Sequence, residues 1–395
     1  MVEKILDELD VKLYYEDSYI EEFEAEVLAC EKTDTGCKVL LDCTAFFPEG
    51  GGQSSDTGTL NETVQVLAVR EEDGCIWHYT DAPVEVGLLV TGRIDFARRF
   101  DKMQQHTGEH IVSGLVHELF GYDNVGFHLG NDVVTMDFNG ELTKEQLRLV
   151  ELKANEAVID NVVVETRFPD KEELSVMEYR SKLELTGVVR IVIIPGYDVC
   201  ACCAPHVGTT GEIGMIKLTG AEKYKGGMRV SMVCGMRALK DYNEKEQAVK
   251  EISVQLSAKP EQVADAVKKL EEQLLLEKAK YARFMNAYVQ EKLEGIKEND
   301  RLVFLCAESL EPNAMRNFVN GAMEVTDGIC CAFSGSDDTG YSYVLGSRRF
   351  DAADAAGKMN EAFNGKGGGK PPMVQGAVKG NIEEIRKCLR GYLGD

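Results

Sequence analysis

The stretch DVCACCAPHVGTTGEIG (Asp198–Gly214) places Cys200, Cys202, Cys203 and His206 within seven residues. The β-branched, apolar run Val188–Ile194 just before it predicts a buried strand that feeds directly into this cluster. Thiols and an imidazole so close together are metal ligands more often than disulfide partners when the chain is reduced. The whole sequence has 12 Cys in 395 residues, far below the density of a disulfide scaffold. Sulfur and imidazole donors favour zinc, one ion per chain.

A second histidine cluster lies upstream. HTGEH (His106–His110) falls within RRFDKMQQHTGEHIVSGLVHELF, where Met103, His110, Ile111, Leu115 and Leu119 keep to one helical face. A separation of four residues puts His106 and His110 one turn apart on that face. The single carboxylate between them, Glu109, is not where H-E-x-x-H places its base, so this is not the metalloprotease signature. Half of the 6 His sit in the two clusters, which is why they are read together.

The surrounding chain reads as multidomain α+β. Residues 1–90 alternate in short strands such as Lys38–Leu41 and Val64–Val69, with the Pro/Gly-rich insert Phe46–Leu60 between them, and predict a small β-barrel. Residues 91–240 form the mixed domain that carries both clusters. Residues 241–298 are charged and helical, broken at Pro260, with Val263, Val267, Leu270, Leu274, Tyr281, Phe284 and Tyr288 at helical spacing. A helical hairpin or coiled-coil arm would bury that stripe, acting as a spacer or a dimerisation element. Residues 299–395 read as a C-terminal α/β domain. Its strands are Arg301–Cys306, Ile329–Phe333 and Tyr341–Leu345, followed by a glycine loop over Asn364–Gly376 and a last helix capped by Asn381.

Charge and hydropathy exclude several classes. Lys plus Arg is 44 and Asp plus Glu is 67, a net charge of −23. That argues against non-specific nucleic-acid binding and docking on anionic membranes. The start MVEKILDELD lacks an apolar signal core, and no run of about 18 apolar residues occurs. Cys30, Cys43, Cys306, Cys330 and Cys331 lie among apolar residues and read as reduced core thiols. The expected location is cytoplasmic.

FFPEGGGQ-x-x-D-T-G, H-T-G-E-H, G-F-H-L-G and C-x-x-x-H followed by T-G-E-I-G, in that order, resemble the editing domain of alanyl-tRNA synthetases. They resemble still more its free-standing relatives, the AlaX proteins. KGGGKPPMVQGAVKG (Lys366–Gly380) resembles the glycine-rich signature of the synthetase's C-terminal domain, which is shared with DHH-type phosphoesterases. Asp-His-His itself is absent, which removes the phosphoesterase reading. The chain begins at the editing module, so a complete synthetase is not expected.

The resemblance implies His106, His110, Cys202 and His206 as zinc ligands. The usual C-G-G-T-H reads Cys202-Cys203-Ala204-Pro205-His206 here: both ligands keep their places, while two glycines and a threonine are lost. Cys200 and Cys203 then read as bystanders. The implied reaction is ATP-independent hydrolysis of the ester in mischarged tRNA(Ala), chiefly seryl-tRNA(Ala) and next glycyl-tRNA(Ala), because a pocket for alanine discriminates weakly by size. Glu109 is the nearest candidate base and Gln53 a candidate hydrogen-bond partner of substrate. Gly50, Gly51 and Gly52 suit close approach by the aminoacyl end. Thr107 and His128 complete the candidate substrate contacts, although a lone His in an apolar run also reads as a core residue. His78 and His117 read as ordinary structural histidines.

In the most basic region, Ser347–Asp395, Gly367, Gly368, Gly369 and Lys370 are the candidate RNA contacts. The arm is read first as a spacer, and a homodimer through the arm or the C-terminal domain is the other arrangement the sequence allows. A non-catalytic zinc-containing RNA-binding factor and a zinc hydrolase of another aminoacyl ester are the alternatives.

Overall fold

A computed structural model describes residues 11–181 and 189–394. The chain divides into two compact units, Met1–Ala248 and Val249–Asp395. The N-terminal stretch MVEKILDELD and Val188, the first residue of the strand expected before the cysteine cluster, lie outside the described residues.

In the first unit six strands close a barrel: β1 (Glu22–Thr33), β2 (Gly36–Leu41), β3 (Gly58–Leu60), β4 (Val64–Glu72), β5 (Cys75–Thr80) and β6 (Leu89–Ile94). Their order is β1-β2-β5-β4-β3-β6. Strict in–out alternation on β2 and β5 shows why these residues form strands: each buries one side chain in two. The barrel core includes Phe23, Val27, Val39, Leu41, Val66 and Ile76. It also takes Phe46 and Phe47 from the connection between β2 and β3. Those two rings anchor the glycine-rich insert from below.

The helix α1 (Phe96–Phe120) carries HTGEH. Asp95 caps it by accepting from Arg98 N–H, and Gly121 ends it at φ 70°. Nearly every residue from Arg99 to Val116 is buried, including the polar ones. Burial of polar groups is tolerable only with partners, and each has one. Arg99 pairs with Asp56. Lys102 donates to the carbonyls of Ser54 and Ser55. Gln104 donates to Glu212 O, and Gln105 bonds Cys234 at both N–H and C=O. Thus the helix that carries the histidine pair also fastens the glycine-rich insert, through Arg99 and Lys102.

An antiparallel sheet packs against α1 and α2 (Lys144–Asp160). Its strands are β7 (Asn124–Leu129), β8 (Val134–Phe138), β12 (Ile216–Tyr224) and β13 (Gly227–Cys234), in the order β12-β13-β8-β7. A smaller sheet has the order β11-β10-β9, from β9 (Glu165–Arg167), β10 (Ile191–Ile194) and β11 (Asp198–Ala201). Ile191, Val192 and Ile194 are fully buried, as the apolar run requires. Gly114 lets this hairpin close on α1: a Cβ there would lie 2.1 Å from Tyr197 O. That approach brings Asp198 beside His110.

A long helix α3 (Gly235–Leu256) spans the boundary between the units. The second unit contains α4 (Val263–Glu294) and a five-stranded mixed sheet, β14-β15-β16-β18-β17. Those strands are β14 (Leu302–Ala307), β15 (Ile329–Ser336), β16 (Gly340–Gly346), β17 (Lys366–Lys370) and β18 (Met373–Val378). The helix α5 (Pro312–Val325) covers one face. The helices α6 (Ala352–Ala362) and α7 (Ile382–Tyr392) cover the other. Asn381 caps α7 by accepting from the N–H groups of Glu383 and Glu384.

One expectation is corrected here and one is narrowed. The glycine loop expected over Asn364–Gly376 is largely a hairpin: β17 pairs in register with β18, and its five residues are exposed along the sheet edge. Glycine permits this because its neighbours crowd it; a Cβ on Gly367 would lie 2.4 Å from the Tyr343 hydroxyl. The apolar stripe of the arm is not buried within the chain. Leu270, Leu274 and Phe284 are 52%, 55% and 67% exposed, whereas Tyr288, at the end of the stripe, packs half-buried against the core that Met285 and Val289 enter.

None of the twelve cysteines forms a disulfide with another. Cys330 and Cys331 are buried, whereas Cys30, Cys43 and Cys306 are half-buried. Among the described residues no helix is long and apolar enough to cross a membrane.

A candidate metal centre

His106 and His110 project from one face of α1, and the turn after β11 brings Cys202 and His206 against them. The rings of His106 and His206 lie 5.0 Å apart between centroids, and those of His110 and His206 4.6 Å. One ligand atom from each of the four residues lies within 4.8 Å of all the others. Cys202 Sγ is 3.6 Å from His106 Nε2 and 3.4 Å from His206 Nε2. For tetrahedral zinc with ordinary bond lengths the nitrogen–sulfur edge is about 3.6 Å. The donor set and its spacing therefore fit a tetrahedral metal ion.

The other nitrogen of each imidazole explains the arrangement. His106 Nδ1 is 2.8 Å from Gln53 Oε1. His110 Nδ1 is 2.9 Å from Asp198 Oδ2. His206 Nδ1 is 3.0 Å from Thr107 Oγ1, whose own proton goes to Met103 O at 2.8 Å. An amide oxygen, a carboxylate and a hydroxyl with its proton committed can only accept. All three rings thus carry Nδ1–H and turn the Nε2 lone pair toward a common point, as metal-ligating histidines do.

Charges around the cluster are compensated step by step. Arg180 donates to both oxygens of Asp198, at 2.7 and 2.8 Å. Burial opposes the Asp198 carboxylate, but the hydrogen bonds from His110 and Arg180 outweigh it and hold its pKa below the ordinary value. Burial above all pushes the His206 imidazole well down, which favours the neutral form that can ligate. Burial pushes the Cys202 thiol up. A thiol so placed ionises when a cation takes the proton's place.

A cavity of 240 Å³ opens on this cluster, lined also by Tyr15, Gly51, Glu109, Arg180, Arg190 and Cys203. Glu109 is the carboxylate among the described lining residues, and its Oε1 accepts from Ser113 Oγ at 2.7 Å and Asn124 Nδ2 at 2.5 Å. A wider cleft of 870 Å³, lined also by Asp198, shares Arg180, Ser181 and Cys200 with this cavity.

The glycine insert reaches the site through Gly51. Gly50 and Gln53 exchange backbone hydrogen bonds of 3.0 Å, and Gly51 and Gly52 take φ of 59° and 82°. A Cβ on Gly52 would lie 2.7 Å from Phe127 O. Cys203, where the family motif has glycine, is exposed, and its sulfur would lie 3.8 Å from a Cβ on Gly51.

Other candidate contacts sit elsewhere. Thr107 is fully buried and orients His206 instead of lining the cavity. Gln53 is likewise buried behind His106. His128 is exposed on β7; its neighbour Phe127 packs against the His106 ring at 4.8 Å. Gly367–Lys370 belong to the second unit. Sequence reasoning missed Asp198, Arg180 and Arg190. Asp198 opens the cysteine stretch, but nothing in its spacing shows that it faces a histidine 88 positions away.

Comparison with known proteins agrees with this geometry. Residues 189–231 match the second additional domain of threonyl and alanyl tRNA synthetases. Residues 8–98 match class II (A) tRNA synthetases, and residues 299–395 the DHHA1 domain. An alanyl-tRNA editing protein AlaX-L from Pyrococcus horikoshii is 33% identical over 242 residues, 59% of this chain and 60% of its own. The editing protein Aarsd1 from Mus musculus is 32% identical over 274 residues, 65% of this chain and 66% of its own. An alanine–tRNA ligase from Pyrococcus abyssi is 30% identical over 404 residues, 96% of this chain but 43% of its own. The chain thus spans less than half the length of that ligase. The ordered motifs, the converging ligands and these likenesses together place the chain in the family of AlaX-type alanyl-tRNA editing proteins, in a long form with a C-terminal DHHA1 domain.

Proposed function

We propose that the protein is a trans-editing hydrolase that deacylates mischarged tRNA(Ala), chiefly seryl-tRNA(Ala) and next glycyl-tRNA(Ala). The observation that carries this reading is the convergence of three Nδ1-anchored histidines and Cys202, of which His106, His110 and Cys202 line a cavity of 240 Å³, enough for a small aminoacyl group. The hydrogen-bonded histidines and the single thiol favour zinc as the ion held by His106, His110, Cys202 and His206. A zinc ion there would supply positive charge beside the scissile ester.

The chain's own groups do the rest. Gly51 lets the aminoacyl end approach the backbone. Glu109, held by Ser113 and Asn124, is the group placed to take a proton from an attacking water. The ester is already activated, so positioning the water accounts for much of the rate.

The working division is a barrel at 1–90, an editing domain at 91–240, an arm at 241–298 and a C-terminal domain at 299–395. The exposed stripe on α4 supports dimerisation over a plain spacer as the role of the arm. The exposed β17 edge supports Gly367, Gly368, Gly369 and Lys370 as contacts for the tRNA backbone. Cytoplasmic action follows from this substrate.

The test is deacylation of seryl-, glycyl- and alanyl-tRNA(Ala) by wild type and a His106→Ala/Cys202→Ala variant, each with its zinc content measured. Cleavage of seryl-tRNA with alanyl-tRNA spared, and loss of metal and activity together in the variant, is expected. A zinc-loaded wild type that leaves every ester intact would replace this reading with a binding factor.

A further inference from the structure

Arg190 is 5% exposed, yet it lines the metal-centre cavity. Its Nη1 donates to Cys202 O and Ala204 O, both at 2.9 Å. Its Nε is buried and has no hydrogen-bond partner. Among the described residues no carboxylate pairs with it. The groups that face it are the thiols of Cys202 and Cys203 and the phenols of Tyr14 and Tyr15, the Tyr15 ring centroid 5.5 Å away. Arg180, in the same cavity, spends its charge on Asp198.

A buried guanidinium with an unmade hydrogen bond is costly unless an acceptor completes it. The ligand loop gives it only neutral carbonyls. An oxygen that gains charge during the reaction would supply both the acceptor and the counter-charge.

The geometry points to Arg190 as the group that stabilises the negatively charged acyl oxygen formed when water attacks the aminoacyl ester. This deepens the editing reading and rests on it. In the reaction the water oxygen bonds to the acyl carbon and the carbonyl electron pair moves onto the acyl oxygen, where Arg190 receives it. The pair then returns as the bond to the ribose oxygen breaks. One water proton ends on that ribose oxygen, and the other is released as the amino acid leaves as a carboxylate. Arg190 would thus be a catalytic residue as well as a support for the Cys202–Ala204 backbone.

Two non-hydrolysable analogues of a seryl-nucleoside separate these roles: a neutral amide, and an anionic phosphonate in place of the ester carbonyl. Wild type is expected to bind the phosphonate at least about 100-fold more tightly than the amide. Arg190→Lys is expected to keep its zinc and its affinity for the amide. It should lose most of the preference for the phosphonate, and kcat on seryl-tRNA should fall about 10²–10³-fold. A wild type without preference for the phosphonate overturns the assignment whatever the variant does. So does an Arg190→Lys protein that keeps the preference, or one whose activity falls only in proportion to lost zinc. A wild type that binds neither analogue and cleaves no aminoacyl-tRNA overturns the editing reading itself, and this assignment with it.

Discussion

Gln53 Oε1 lies 2.8 Å from Nδ1 of His106, joining the glycine-rich insert to the metal-centre helix across 53 positions of sequence. The contact sets the tautomer of a ligand whose other nitrogen faces Cys202 Sγ at 3.6 Å. A residue expected at the substrate thus stands behind the candidate metal centre.

Gln53→Ala should lower metal affinity about 10–100-fold, because outer partners of ligating histidines contribute on that scale. Gln53→Glu should retain most of the affinity, since a carboxylate also accepts from Nδ1–H. Competition for zinc against a chromophoric chelator measures both. Equal affinity in wild type and Gln53→Ala would remove the positioning role.

Asp198 joins His110 to Arg180, and its pKa is held below the ordinary carboxylate value. A carboxylate shifted down stabilises the fold fully above its unfolded pKa of about 3.9. That contribution is lost as pH falls through the lower folded value. Asp198→Asn should remove this acid-side loss and leave Arg180 as a half-buried cation without its carboxylate, at a cost of about 1–3 kcal/mol at neutral pH. Urea unfolding of wild type and variant between pH 3 and 7 would show the gap closing as the pH drops.

Gly52→Ala should destabilise by about 1–3 kcal/mol, because φ is 82° and the new Cβ would meet Phe127 O at 2.7 Å. The displaced insert would also draw Gln53 away from His106. Thermal unfolding with zinc quantitation should therefore show lower stability and lower metal content together, whereas a purely local effect would spare the metal.

Leu270 and Leu274, 52% and 55% exposed on α4, are the centre of the stripe the chain leaves uncovered. Replacing both by Glu should convert a dimer to a monomer in sedimentation velocity while leaving seryl-tRNA cleavage by the first unit intact. A wild type that sediments as a monomer at every concentration would return the arm to a spacer.

Much of the chain is legible because local chemistry constrains it. Alternating side chains in β2 and β5, the apolar run at Ile191–Ile194 and the cap at Asn381 each specify a local geometry that the structure contains. Lys366–Lys370 were misread because glycines and prolines signal a loop, whereas backbone pairing with β18 makes them an edge strand. The arm's stripe was legible only in part, as a face that either a second helix or a second copy would cover. Helical spacing is local, but whether anything covers the face is not.

The sequence by itself offered the candidate donors, and its resemblance to the editing family picked out His106, His110, Cys202 and His206 among them. Imidazole and thiol are scarce and chemically distinctive, and a four-residue helical spacing places His106 and His110 together before any tertiary contact forms. Only the tertiary structure decided what stands behind each ligand: Gln53 behind His106, Asp198 behind His110 and Thr107 behind His206. It alone decided that Arg190 is buried at the cavity with one donor unspent. The physical reason is that hydrogen-bond partners and uncompensated charge depend on which distant segments pack against one another. No local propensity encodes that pairing.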